Sequence, residues 1–162
     1  MSNLGLEVAL RESGIEFQRA QVGDRYVLGL LRETGGTLGG ETSGHIICLD
    51  KTTTGDGIVS ALQVLAVMKQ TGRSLAELAS GMRKYPQVLL NVKVAARFNP
   101  SDIPAVRDAV QRIEKRMNGQ GRVVLRPSGT EPVIRVMVEG RDESATRAAA
   151  TELAEVVRTA VG

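Results

Sequence analysis

Aromatic side chains are almost missing from this chain: two Phe, two Tyr and no Trp in 162 residues. Leu, Val, Ile and Ala must therefore fill the core, and little remains for the stacking platforms that hold unpaired bases. Cysteine occurs once, at Cys48, which excludes an intrachain disulfide framework and a multi-cysteine zinc site. The run His45-Ile46-Ile47-Cys48-Leu49 reads as a buried strand, so a packed thiol is expected there rather than a nucleophile. Histidine also occurs once, at His45, which excludes a His-rich metal site. No apolar run approaches the ~20 residues that span a bilayer. The first residues carry Glu7, Arg11 and Glu12 where a signal peptide would be apolar. The cytoplasm is the expected location, with no membrane partner.

What is present is ordinary in bulk. Hydrophobic residues make up 42% and charged residues 24%, the balance of a globular protein with one domain or two small ones. The formal charge of +3 suits anionic ligands but is too modest to announce a nucleic-acid partner.

Caps and periodicity organise the chain. A helix is expected over 4–11, a strand over 15–20, and a helix capped by Asp24 that stops before Gly35-Gly36. Two short strands should flank residues 40–45. After Gly57, Ile58, Ala61, Leu62, Leu65 and Ala66 recur at i, i+3, i+4, i+7 and i+8, a helix ended by Gly72. Ser74 and Glu77 form a capping box for a further helix to about Met82. Tyr85-Pro86 marks a boundary, giving domains 1–86 and 87–162. The second reads β-α-β-β-α: a strand over 88–96, a helix bearing Val106, Val110, Ile113 and Met117, two strands around a polar turn, and a last helix capped by Asp142. The expectation is an α/β layered domain followed by a small α+β domain with helices on one face of an antiparallel sheet.

The polar turn carries the most chemical information. Arg126-Pro127-Ser128-Gly129-Thr130-Glu131-Pro132, followed by Val133-Ile134-Arg135, gathers two guanidiniums, two hydroxyls and a glycine. Arg grips phosphate oxygens through parallel charge-assisted hydrogen bonds, hydroxyls donate to others, and Gly129 allows backbone N–H groups to approach an anion. Period-two geometry puts Arg126 opposite Val123 and Leu125, and Arg135 opposite Ile134 and Val136, so both arginines can flank the turn on one side. A plain hairpin turn with solvated arginines is the competing reading.

A second turn, Gly40-Glu41-Thr42-Ser43-Gly44-His45, offers a carboxylate, hydroxyls and an imidazole. Sugar hydroxyls need acceptors and donors together, and Glu with Ser supplies both. Ordinary loop roles for Glu41 and His45 are the alternative. Asp24 and Arg25 are possible ligand contacts, which helix capping and a surface ion pair explain equally well. Residues 52–56 look like a phosphate cradle but lack the Lys-Ser/Thr ending of a P-loop, so capping is favoured.

Gly40-Glu41-Thr42-Ser43-Gly44-His45 resembles the sugar-binding loop of the α-D-phosphohexomutase superfamily, and residues 126–132 resemble its phosphate-binding loop. Ser128-Gly129-Thr130-Glu131-Pro132, Ile134 to Gly140, Val22 to Val27 and Leu49 to Gly57 are similar to the branch acting on glucosamine phosphates. The resemblance implies most of the third domain of a four-domain enzyme and its TATA-box-binding-protein-like C-terminal domain. It implies an isomerase that interconverts hexosamine 6- and 1-phosphates through a phosphoserine, Mg²⁺ and a bisphosphorylated intermediate, feeding amino-sugar and cell-wall synthesis. It gives Glu41, Ser43 and His45 to the sugar, His45 with an orienting or proton-transfer role, and Arg126, Ser128, Gly129, Thr130 and Arg135 to the phosphate. The serine loop and the Asp-rich Mg²⁺ loop have no counterpart in these 162 residues. A truncated chain or broken reading frame is thus expected, whose partners are a phosphorylated hexosamine and the N-terminal domains of the same enzyme, and which has no turnover alone. A free-standing sugar-phosphate binding module is the alternative.

Overall fold

A computed structural model describes residues 1–94, 98–129 and 131–161, the side chain of the last excepted. The chain forms two compact units, Met1–Arg83 and Lys84–Gly162.

The first unit is helix-rich around a small antiparallel ribbon. Helix α1 spans Leu4–Glu12 and is capped by Asn3, whose side-chain oxygen accepts from the Gly5 amide at 3.0 Å. Helix α2 spans Asp24–Thr34 and ends at Gly35, whose φ of 72° lies in the left-handed region that glycine tolerates best. Strands β1 (Leu38–Gly40) and β2 (Ile46–Cys48) pair antiparallel, with Gly40 opposite Ile46. Cys48 is buried, as its apolar run implies. Helix α3 (Gly57–Thr71) starts at Asp56, which accepts from the Ile58 and Val59 amides at 2.8 and 2.9 Å. Asp56→Ala should cost about 1 kcal/mol, readable as an earlier urea midpoint for the α3 amide resonances. Helix α4 (Leu75–Ala79) opens on the Ser74–Glu77 capping box; hydrogen bonds from the Ser74 side chain and backbone hold the Glu77 carboxyl below its ordinary pKa.

Several expectations fail here for physical reasons. Residues 15–20 alternate like a strand yet form none: a strand exists only where a ladder satisfies its backbone. The segment is tied instead to the start of the chain. Arg19 donates to Glu7 through Nε and Nη2 at 3.0 and 2.8 Å, and through Nη1 to the Ser2 carbonyl at 2.8 Å. Gly23, not Asp24, is the cap of α2; its φ of 128° suits only glycine, and Asp24 is the first helical residue. Helix α4 stops at Ala79, short of Met82. The α3 stripe forms its helix but not a core: Ile58, Leu62 and Leu65 are each more than half exposed.

The second unit follows the β-α-β-β-α reading. Strand β3 (Gln87–Lys93), helix α5 (Pro104–Met117), strands β4 (Gly121–Pro127) and β5 (Val133–Gly140) and helix α6 (Glu143–Val161) build a sheet of order β3-β5-β4, antiparallel throughout. Strand β3 closes at Lys93, and the expected continuation to 96 falls on residues 95–97, which lie outside the described ones. A turn of 3₁₀ helix, Pro100–Asp102, precedes α5, and α6 is capped by Asp142, which accepts from the Ala145 amide at 2.7 Å. Alternate residues of each strand face the helices. Val92, Ile134, Val136 and Val138 are fully buried beneath Val106 and Ile113 of α5 and Leu153 and Val157 of α6. Gly121 and Gly140 face each other in register because Met117 fills the space a side chain would need; its Cε lies 2.0 and 2.5 Å from the positions their Cβ atoms would take.

Candidate functional site

The β4–β5 hairpin sets the phosphate-type turn. Residue pairing places Arg126 directly opposite Arg135, and Asn91 of β3 opposite Arg135 on the other side. The two guanidiniums therefore rise from adjacent strands on the sheet face turned away from α5 and α6. Like charges directly opposite in a sheet repel. Four residues along β5 from Arg135, Glu139 accepts from Arg122 Nε at 2.6 Å and neutralises the third arginine of this face. Among the described residues no carboxylate forms an ion pair with Arg126 or Arg135. The hairpin thus concentrates uncompensated positive charge at one row, beside the turn.

Ser128 anchors that row. Its amide donates to the Val133 carbonyl at 2.9 Å, closing the hairpin. Its buried Oγ accepts from the Glu131 amide at 3.3 Å and from Arg135 Nη2 at 3.4 Å. Gly129 sits in open space, where a Cβ would meet nothing within 4 Å. Thr130 lies outside the described residues.

The first unit brings Asp24, Glu41 and His45 together. The 41–44 turn is closed by the Glu41 amide donating to the His45 carbonyl at 2.9 Å and the Gly44 amide donating to the Glu41 carbonyl at 3.0 Å. Gly44 takes a φ of 92°, which this turn requires. Glu41 Oε1 accepts from the Gly23 amide at 3.0 Å, pinning the turn to the start of α2. There a carboxylate also meets the positive end of the helix dipole. His45 Nδ1 stands 3.8 Å from Asp24 Oδ2. Ser43 is exposed at the tip. Arg25 turns away from this group: its Nη2 donates to the Tyr26 hydroxyl at 2.9 Å and its guanidinium covers the Tyr26 ring at 4.7 Å.

The Asp50 carboxyl is lowered by a hydrogen bond from Lys51, but this exposed pair belongs to neither turn. Two partners escaped the sequence reading. Glu139 was visible through register, since counting outward from the Arg126–Arg135 pair meets Arg122 and Glu139 together. The Gly23 amide leaves no side-chain trace. Among the described residues no group of three or more His, Cys, Asp or Glu side chains could hold a metal ion, and no helix is long and apolar enough to cross a membrane.

A three-stranded antiparallel sheet under two helices, with an arginine-flanked polar turn, follows a unit whose ribbon turn presents acid and hydroxyl groups. Both halves match one family. Residues 1–85 match the phosphoglucomutase/phosphomannomutase α/β/α domain III and residues 89–156 the phosphoglucomutase/phosphomannomutase C-terminal domain, and the chain belongs to this family. Phosphoglucosamine mutase of Nitrosococcus oceani is 60% identical over 162 residues, 100% of this chain and 36% of that protein. Phosphoglucosamine mutase of Methylococcus capsulatus is 58% identical over 160 residues, 99% of this chain and 36% of that protein. An Aspergillus fumigatus N-acetylphosphoglucosamine mutase variant, solved with glucose 1,6-bisphosphate, superposes with a TM-score of 0.75 over 99% of this chain and 37% of that one. Its 20% identity shows the fold alone. The chain spans about 36% of the length of the curated relatives it matches.

Proposed function

We propose that this chain is the sugar- and phosphate-binding part of a cytoplasmic phosphoglucosamine mutase, an isomerase that interconverts glucosamine 6-phosphate and glucosamine 1-phosphate through a phosphoserine and a bisphosphorylated intermediate. The observation that carries the reading is the Arg126–Arg135 pair, set opposite each other in register with no carboxylate partner among the described residues. A phosphate dianion between them replaces repulsion with charge-assisted hydrogen bonds. Identities of 60% and 58% to enzymes of that name support the amino-sugar branch.

In this reading Arg126, Arg135, Ser128, Gly129 and Thr130 hold the phosphate that does not react, while Glu41 and Ser43 take the sugar hydroxyls and His45 orients the ring. Binding energy from the remote phosphate positions the distant hydroxyl for in-line attack. Mg²⁺ would supply charge neutralisation on a transferring phosphoryl group, and no donor set among the described residues fits it. The phosphoserine loop likewise has no counterpart in these 162 residues, so the chain alone binds without turnover.

Calorimetric titration tests this. Glucosamine 6-phosphate should bind at millimolar or tighter affinity, and Arg126→Ala should weaken it at least about tenfold, equivalent to about 1.4 kcal/mol. Binding to any polyanion that falls steeply with salt and ignores Arg126→Ala would sink the reading.

A further inference from the structure

Gly55 has a neighbour that explains its missing side chain. A Cβ built there would stand 1.6 Å from His45 Nε2, 1.9 Å from Cδ2 and 2.9 Å from Cε1, and these are its three nearest atoms. Its backbone is not in the left-handed region, so any residue could adopt its conformation. The imidazole is what a side chain there would strike first. A bridge between Gly55 and Ile47 of β2 fixes the approach, and Asp56 ties the same turn to α3 by capping it. The ring thus lies against Gly55 through its Nε2 edge, with Nδ1 toward the Asp24 carboxylate.

We infer that Gly55 is a positioning residue for His45: the bare backbone of the 52–56 turn is the berth that sets the imidazole beside the sugar-binding turn. The inference rests on the phosphosugar reading and deepens it, because it makes the 52–56 segment part of sugar recognition without any ligand contact of its own. The three atoms a methyl at position 55 meets first all belong to one side chain, which can rotate away. Gly55→Ala therefore keeps the fold and displaces the ring.

His45 is the only histidine, so its ring protons are unambiguous by NMR. On adding glucosamine 6-phosphate to the native chain, those resonances and the amides around Arg126 should both shift. In Gly55→Ala the His45 response should be lost while the Arg126 response remains. A His45 response unchanged in Gly55→Ala overturns the inference, as does a native His45 ring that stays silent while the Arg126 amides move. Silence of both reporters in the native chain instead sinks the phosphosugar reading on which it rests. If Gly55→Ala does not fold, the double variant Gly55→Ala/His45→Ala must fold, because the collision is gone; a double variant that also fails overturns the inference.

Discussion

Glu139→Ala should lower the unfolding free energy of the second unit by about 3 kcal/mol, the low end of the cost of removing one member of a buried ion pair. Glu139 is fully buried and accepts from Arg122 Nε at 2.6 Å, while the Arg122 side chain keeps 18% of its surface exposed. Residual hydration of the guanidinium sets the lower figure. Removing the cation should cost a comparable amount, since Arg122→Met takes a 2.6 Å charge-assisted hydrogen bond from a carboxylate with no exposed surface. The double variant Glu139→Leu/Arg122→Met should recover most of either loss, because an apolar pair of similar volume removes the desolvation cost of both charges. Urea unfolding read from the β5 amides measures all three. Single variants within about 0.5 kcal/mol of native would mean that the pair behaves as a surface one.

In the proposed function that ion pair also shapes the phosphate site. The outer face of β4 and β5 carries three arginines, and Glu139 removes one from the balance. Uncompensated charge is then confined to the row next to Ser128, where an anion can reach both strands. A sheet with all three arginines unpaired would spread its positive field along the whole face and discriminate poorly between a phosphate monoester and any other polyanion.

The second unit was readable because its signals are local and reinforce one another. Period-two alternation over 122–126 and 133–138 assigns core and outer faces, and it alone places Arg126 and Arg135 on the same side. The cap at Asp142 and the left-handed Asn118 after α5, with a φ of 46°, bound the helices. The first unit was less readable because its decisive interactions are not local. Residues 15–20 have the alternation of a strand, but pairing depends on a partner that periodicity does not name. Glu41 reads as a ligand residue, yet one of its oxygens accepts from an amide 18 positions away. The collision that reserves Gly55 for His45 spans ten positions and appears only in three dimensions. Helix α3 shows the limit most clearly: its stripe predicts a helix with one apolar face and says nothing about what meets that face.

That stripe leads to the largest expected contrast within the chain. Of the buried apolar side chains among the described residues, Leu4, Leu31, Ile47 and Cys48 belong to the first unit and all the others to the second. Ile58 is 76% exposed, and Leu62 and Leu65 are 56% and 57% exposed, so α3 gains little from burial at ~25 cal/mol per Å² of apolar surface. A helix held mainly by its cap and its own hydrogen bonds opens by local fluctuation, whereas β5, paired on both sides and covered by α6, opens only when the whole unit unfolds. Amide hydrogen exchange at neutral pH should therefore be at least about a hundredfold faster in α3 than in β5, the gap that separates local fraying from a global opening of several kcal/mol. Leu62→Lys should leave α3 exchange nearly unchanged, while Leu153→Ala, at a position with no exposed surface, should cost about 3 kcal/mol and accelerate β5 with the rest of its unit. Equal protection in α3 and β5 would contradict the exposure of the stripe, because slow exchange in α3 requires apolar surface removed from water.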